Sequence, residues 1–572
     1  MKIRNILIKL FIFLLSFFII FTIIYFFFEP IFSADSLIFP YAIHPFDIVS
    51  TYPTTWTSIK NNYFICLFFA YLIIFINISS KVSIPVFSKE KPYPSLDNNL
   101  HLLVGISSNS PIYLHENGLY QNILITGTIG TGKTASGMYP FTEQLINYKS
   151  YSNKEKLGLL ILDVKGNYFE KVLEFANASK RLNDVVSIDL TGNYKYNPLE
   201  KPNLSPIVLA NRLKTILSLF SPNTSESYWL DKSEQILSEA IKFCRLYNNN
   251  YVNFTEIHKI IMFPEYYSQK LEVIKKQFLS GNFSKEDSYN LLSCIDFFEK
   301  EYFSLDQRTL SILKSEISRI TNIFVTDYTV SKTFCPQKEE INFNGFEEVL
   351  SKGKIVVLNM NIAEYRNLSK IIATYLKLDF QAEVLSNLGK RTNNRKTAFI
   401  CDEFQEYVTS TDADFFSVAR EAKCINIVAT QSYSSIKNAL KDDNSTKVII
   451  QSLINKLWFR TDDIYTIEEA QKLLGKEEKE RISTTISENA KETKRNFITN
   501  KLVSQNSNLS ESFNRYTQND YKYDTNTFSQ DLERFMCLAF ISDGQKILPP
   551  FKLQMIPYYE KDKFLKGCDF NE

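Results

Sequence analysis

"LITGTIGTGKTASG", residues 124–137, sets four glycines and a lysine among threonines directly after an apolar run. Gly127, Thr128, Ile129, Gly130, Thr131, Gly132, Lys133 and Thr134 match the pattern G-x-x-x-x-G-K-[ST] at every fixed position. The flanks agree, because residues 122–126 read as a buried strand and Ala135 onward can open a helix. Glycines let successive backbone N–H groups curl around phosphate oxygens, and a helix N-terminus adds its positive dipole end. Lys133 suits the β- and γ-phosphates, and the Thr134 hydroxyl suits a Mg²⁺ ion. With only sixteen glycines in 572 residues, a stray match inside a Gly-rich linker is a poor alternative. The stretch predicts a bound nucleotide with Mg²⁺.

Such a site needs a carboxylate at the end of a neighbouring strand. "LGLLILDVKG" places Asp163 after one strand, and "KTAFICDEFQEY" places Asp402 and Glu403 after another. The second supplies two roles at once: Asp402 can hold the metal while Glu403 polarises the attacking water. Asp163 then tops an adjacent strand, with Lys165 and Gly166 shaping a turn near the nucleotide. Gln431 stands at the end of the apolar run 425–430, where it can orient water or sense the γ-phosphate, or simply end a strand. Arg420 is either a solvated surface arginine or a finger reaching a neighbour's site.

Composition narrows the class. The formal net charge is +2, so no overall basic field marks a nucleic-acid partner. Eight cysteines lie too far apart for a zinc ribbon or a disulfide framework, and fit reduced thiols. Four histidines, none at metal-ligand spacing, argue against a Ser-His-Asp hydrolase or a His-ligated metal enzyme.

Leu10–Phe28 and Asn61–Ser80 are uncharged runs, each long enough to cross a hydrocarbon layer as a helix. Lys2, Arg4 and Lys9 precede the first, and Lys81, Lys89 and Lys91 follow the second. The loop between them carries Glu29, Asp35 and Asp47 against Lys60. This bias predicts a two-pass cell-membrane anchor with both termini cytoplasmic and a short loop outside.

Short apolar runs at 122–126, 158–163, 185–189, 354–359, 397–401 and 425–430 read as strands buried in a parallel sheet, with helical patterns between several of them. The fold class is α/β, doubly wound. More than 260 residues separate the glycine loop from the acidic pair, so something is inserted, and residues 204–335 repeat apolar positions at helical spacing. Tyr228 and Trp229 there are expected to pack in a core rather than to stack on a base. Residues 486–527 are polar, locally basic and without period, and read as a mobile loop. "RFMCLAFISDGQKILPPFKLQMIPYY" reads as strand, turn and strand closing the sheet. The expected layout is an anchor over 1–95, a nucleotide-binding domain over 96–203 and 341–572, and an all-α domain over 204–340.

The order of these pieces resembles the TraG/TraD coupling proteins of conjugation and type IV secretion. "LDVKGNYF" at 162–169 is similar to the family's Asp-x-Lys-Gly segment, and "YNPLE" at 196–200 to its Asn-Pro-Leu segment. "FICDEF", Arg420, "ATQS" at 429–432 and "NKLWFRTDDIYTIEEAQKLLG" at 455–475 continue it. The resemblance implies a RecA-like P-loop motor domain with an inserted all-α domain, working as a homo-hexamer with Arg420 as a finger. It implies ATP hydrolysis that drives single-stranded DNA, a relaxase–DNA complex or protein towards channel proteins of the inner membrane. No long acidic C-terminal tail for docking is visible. A double-stranded DNA pump of the segregation or packaging kind shares the motor motifs, but no winged-helix reader is evident. A docking scaffold that binds ATP without turnover is opposed by the intact set Lys133, Thr134, Asp402 and Glu403.

Overall fold

The computed structural model describes residues 99–560 apart from 192, 221–226, 280–283, 387, 389–394, 491–492, 496–501 and 505–506. It also describes Phe17, Ile65, Phe68, Phe69, Tyr71 and Leu72. The two expected membrane spans lie almost wholly outside the described residues. Among the described residues, no helix is long and apolar enough to cross a membrane.

Seven strands make a parallel sheet: β3 (Ile123–Thr126), β4 (Gly158–Leu162), β5 (Val185–Ile188), β6 (Ile355–Leu358), β7 (Thr397–Cys401), β8 (Cys424–Thr430) and β9 (Asn455–Phe459). Their order is β9-β3-β8-β7-β4-β6-β5. Every one of these residues is buried, Ser187 included, because both faces are covered, which is why the runs read as continuous apolar stretches. The alternation is hidden rather than absent. Leu124, Leu160, Leu162, Val356 and Leu358 enter one core, while Ile123, Ile125, Leu159, Ile161, Ile355 and Val357 enter the other.

On the β9 side the sheet continues antiparallel through β14 (Met536–Phe540), β15 (Phe551–Gln554), β1 (His101–Ser107) and β2 (Ser110–His115). Ser108 and Asn109 both take positive φ in the tight turn joining β1 to β2, the conformation a two-residue hairpin requires. The C-terminal strand–turn–strand thus extends the sheet as expected.

Residues 206–334 contain helices and no strand among the described residues, from Pro206–Ser218 to Tyr328–Phe334. Their apolar faces join the same core as one face of the sheet, so this helical layer is packed onto the parallel sheet rather than built around a core of its own. Trp229 is partly buried against that core, but Tyr228 is 61 % exposed and does not pack as expected. It stands one position before Trp229 on the helix Ser227–Tyr247, and adjacent helical positions point about 100° apart.

The polar stretch expected as a mobile loop is largely ribbon. β10 (Lys476–Ala490) pairs antiparallel with β13 (Ser507–Tyr521) in unbroken register, and β11 (Thr493–Arg495) pairs with β12 (Leu502–Ser504). A two-stranded ribbon that joins no other sheet has no core face to fill, so its sequence carries no apolar alternation to read.

A wholly buried ion pair fastens the site region. Lys377, on the helix Ile362–Ser386, donates to Asp412 Oδ2 at 2.5 Å, to the Tyr407 carbonyl at 2.6 Å and to Thr409 Oγ1 at 3.0 Å. This ties the helix to the chain just beyond Glu403. Lys377→Met should leave Asp412 charged and unpaired, at a cost of about 3–5 kcal/mol in urea unfolding of the full-length chain. The double change Lys377→Met, Asp412→Leu should recover most of it. Equal loss in single and double variants would remove the charge pair as the cause.

Candidate functional site

The glycine loop leaves β3 and enters a first turn of π-helix, Lys133–Met138, that continues as the α-helix Tyr139–Asn147. Gly130 and Gly132 take φ of 83° and 104°, which side chains resist. Gly127 is required for another reason, since a Cβ there would press on Phe459 at 2.6 Å. The loop is tied to β9 by Thr128, whose N–H and hydroxyl both donate to the Arg460 carbonyl. Lys133 is buried and donates to the Gly127 and Thr128 carbonyls at 2.5 and 3.2 Å, and burial lowers its pKa. Ile129 is 80 % exposed at the tip.

Strand order brings the acidic pair to this loop. β8 lies between β3 and β7, so the carboxylates that end β7 stand one strand away from the loop that ends β3. Thr134 Oγ1 donates to Asp402 Oδ2 at 2.8 Å across that gap. Asp402 is buried, and burial raises its pKa to about 6, helped by Asp163 and Glu403 and opposed by the Thr134 hydrogen bond. Asp163 ends β4 beside it, buried, with its pKa raised by burial.

Glu403 sits in the left-handed region at φ 51°, ψ 51°, which turns its side chain away from the strand direction. Burial would raise its pKa, but hydrogen bonds from Gln405 (2.8 Å) and Gln431 (3.1 Å), with Lys165 and Lys133 nearby, hold it below the ordinary value. It therefore stays ionised, as a water-polarising base must. Lys165 Nζ lies 3.4 Å from Glu403 Oε1. Gly166, at φ 75°, turns the chain beside it.

Lys133, Thr134, Asp402, Glu403 and Gln431 are thus brought together. Arg420 is not. It is exposed in the turn before Cys424, where β8 begins, whereas Gln431 follows the end of β8. A seven-residue strand spans about 20 Å, so Arg420 and this glycine loop stand at opposite edges of the sheet. Gln405, which holds Glu403 and also accepts from the Thr430 hydroxyl at 2.8 Å, was not singled out from the sequence. Its place two residues after the acidic pair was the available signal.

Among the described residues, no group of three or more His, Cys, Asp or Glu side chains could hold a metal by itself. One carboxylate and one hydroxyl, hydrogen-bonded to each other, suit Mg²⁺, which is commonly held by one or two protein oxygens together with substrate phosphates.

Comparison with known proteins gives two kinds of match. A family model described as the TraM recognition site of TraD and TraG matches residues 396–518. Among solved structures, plasmid coupling protein TrwB with the non-hydrolysable GTP analogue GDPNP matches at TM-score 0.54 and 11% identity, over 80% of this chain and 90% of that one. TrwB with ADP and Mg²⁺ matches at 0.54 and 11%, over 80% and 91%. The unbound form of the conjugative coupling protein TrwBdeltaN70 matches at 0.52 and 11%, over 80% and 90%. At this identity the structural likeness speaks for the fold. No curated protein matches by sequence. The resemblance to the TraG/TraD coupling proteins is borne out, and the α/β fold with its large mixed sheet is the fold of TrwB.

The raised pKa of Asp402 has a sign that can be checked. Between about pH 4 and pH 6 the unfolded carboxyl has lost its proton while the folded one keeps it. Nucleotide-free stability from this group therefore falls as pH rises through that window, by roughly 3 kcal/mol for a shift of about two units, and is flat above it. Asp402→Asn should remove this fall and raise the melting temperature of the nucleotide-free chain at pH 8. An unchanged pH profile in Asp402→Asn would show that its carboxylate is not held at that cost.

Proposed function

We propose that this chain is a membrane-anchored coupling ATPase that recruits single-stranded DNA, nucleoprotein or protein and drives it into a type IV secretion or conjugative transfer channel. The observation that carries the catalytic half is the Thr134–Asp402 hydrogen bond, which joins the phosphate loop to the acidic pair within one chain. A structure built only to dock would not need Glu403 held ionised by two glutamines at the same point.

In this reading Lys133 leaves the loop carbonyls for the β- and γ-phosphates. Thr134 and Asp402 would hold Mg²⁺, which when bound supplies positive charge against the phosphate oxygens. Glu403 polarises the attacking water, and Gln431, already bonded to Glu403, reports whether a γ-phosphate is present. Arg420 acts on a second copy. Its position at the far edge of the sheet supports this, because its side chain is too short to reach its own glycine loop. Hydrolysis then occurs between subunits of a ring, a homo-hexamer by resemblance to the family.

The anchor is part of the proposal. Leu10–Phe28 and Asn61–Ser80 would cross the cell membrane with both termini cytoplasmic. The Phe17 ring meets Phe68 edge-on at 5.0 Å and Tyr71 at 5.7 Å, contacts that fit two apolar helices packed side by side. For partners, the description of the matched family model supports recognition of a TraM-type protein within 396–518. That would give a route for recruitment. Most of the β10–β13 ribbon falls within that segment, and its strands pair with none of the main sheet.

Two measurements test the reading. Glu403→Gln should keep ATP bound but slow turnover by about 10²–10⁴, since only the charge that polarises water is lost. Arg420→Ala should cost about 10³–10⁵ in rate. Mixed with Lys133→Ala chains, it should regain part of the activity, because some interfaces then pair an intact glycine loop with an intact arginine. Mixed rings that form and stay inactive would end the between-subunit assignment. Full turnover in Glu403→Gln would remove Glu403 from catalysis.

A further inference from the structure

Asp402 and Glu403, which meet the γ end in the nucleotide reading, stand on the β8–β7 side of β3, and Thr134 on the helix after β3 reaches across to Asp402. The phosphate chain must leave the loop away from them, towards the β9, β14 and β15 side. What stands there is the segment Arg534–Phe535, just before β14, and Tyr559, after β15. Phe535 lies directly on the loop: its N–H donates to the Thr131 carbonyl at 3.0 Å, and any Cβ on Gly132 would overlap its ring. Its carbonyl accepts from Met555 N–H at 2.7 Å, which joins the two segments.

The backbone at Phe535 is held at φ 65°, a left-handed conformation that is rare for an aromatic residue. That conformation needs a compensating reason, and packing of the β14–β15 pair alone does not supply one, since the ring is only half-buried. The Arg534 guanidinium lies 4.7 Å from the Phe535 ring centre, and makes no hydrogen bond or ion pair to a described residue. Tyr559 stands edge-on to Phe535 at 6.4 Å and is 53 % exposed. Its neighbour Tyr558 is pinned by Tyr139 at 5.3 Å and by Lys171, so the support for Tyr559 is fixed to the helices beside the loop.

We propose that Arg534, Phe535 and Tyr559 form the shelf on which the base of the bound nucleotide stacks. The proposal rests on the nucleotide reading of residues 127–134 and adds the base-binding side of that site. Phe535 meets Gly132, while Arg534 and Tyr559 each meet Phe535, and the two rings stand 74° apart, so the three side chains present a corner of aromatic and cationic surface against which a purine can stack. The requirement for glycine at 132 follows as well, since only a residue without Cβ lets the shelf approach the phosphate loop.

The test compares binding of ATP with binding of inorganic tripolyphosphate, which has the phosphates and no base, to the full-length chain by calorimetry with Mg²⁺ present. Tyr559→Ala and Phe535→Leu should weaken ATP binding by roughly 5- to 150-fold, the range of a lost base–aromatic stack. Both should leave tripolyphosphate affinity unchanged, and Tyr559→Phe should match the wild type. Equal losses for both ligands would mean that the changes act through the phosphate loop, and would overturn the shelf. So would undiminished ATP binding in both variants, or a wild type that binds ATP no more tightly than tripolyphosphate. A wild type that binds neither would instead overturn the nucleotide reading, and the shelf with it.

Discussion

The hydroxyl of Thr134 holds the carboxylate of Asp402 at 2.8 Å across the width of one strand, and the arrangement of the sheet serves that contact. It needs β8 between β3 and β7, so that the loop and the acidic pair face each other over a gap instead of colliding as direct neighbours. It needs both carboxyl-terminal strand ends level, which the register provides by pairing Thr126 with Thr430 and Cys401 with Val428. And it needs a dry surrounding, supplied by cores on both faces of the sheet. Desolvation makes Asp402 reluctant to ionise, which is the state a divalent cation would relieve.

From this corner a second chain of contacts runs into the body. Glu403 is left-handed, and the short turn Phe404–Glu406 follows it at once. Glu406 is paired with Lys370 at 2.5 Å, and Tyr407 and Asp412 are held by Lys377 on the same helix. That helix, Ile362–Ser386, is broken near its start, where Arg366 departs from helical backbone at φ 41°, ψ −116°. The turn bearing Glu403 is thereby clamped to one rod whose front end is kinked. Displacement of Glu403 has to be absorbed either by breaking buried ionic contacts or by moving the rod, and the first is the more costly.

Much of this was legible in the sequence because burial leaves a strong signature. Strands covered on both faces are unbroken apolar runs, so β3 to β8 were located within a residue or so of their ends. The glycine loop and the acidic pair are local in sequence and were readable for the same reason. What escaped was decided by tertiary placement. Gln405 looks like any polar residue after a strand until Glu403 turns back onto it. Phe535 reads as the start of an apolar strand, and nothing local reveals that its ring covers Gly132, some four hundred residues earlier. The β10–β13 ribbon escaped because a strand pair without a core obeys turn and pairing rules only, and its polar composition is shared with disorder.

The two edges of the parallel sheet divide the labour. Lys133, Thr134, Asp402, Glu403 and Gln431 lie at the carboxyl-terminal ends of the strands, while Arg420 stands exposed at the amino-terminal end of β8, in no ion pair with a described residue. A cation with five donors left in solvent is easily explained as surface charge, yet the opposite edge is the one place from which a residue cannot serve its own glycine loop. On the between-subunit reading proposed for Arg420, a chain would carry the two halves of a site at opposite ends of its strands and complete neither alone, so turnover would be tied to assembly by geometry. Ile129, an apolar side chain left exposed at the tip of the loop, is available for cover by a second copy on that same reading.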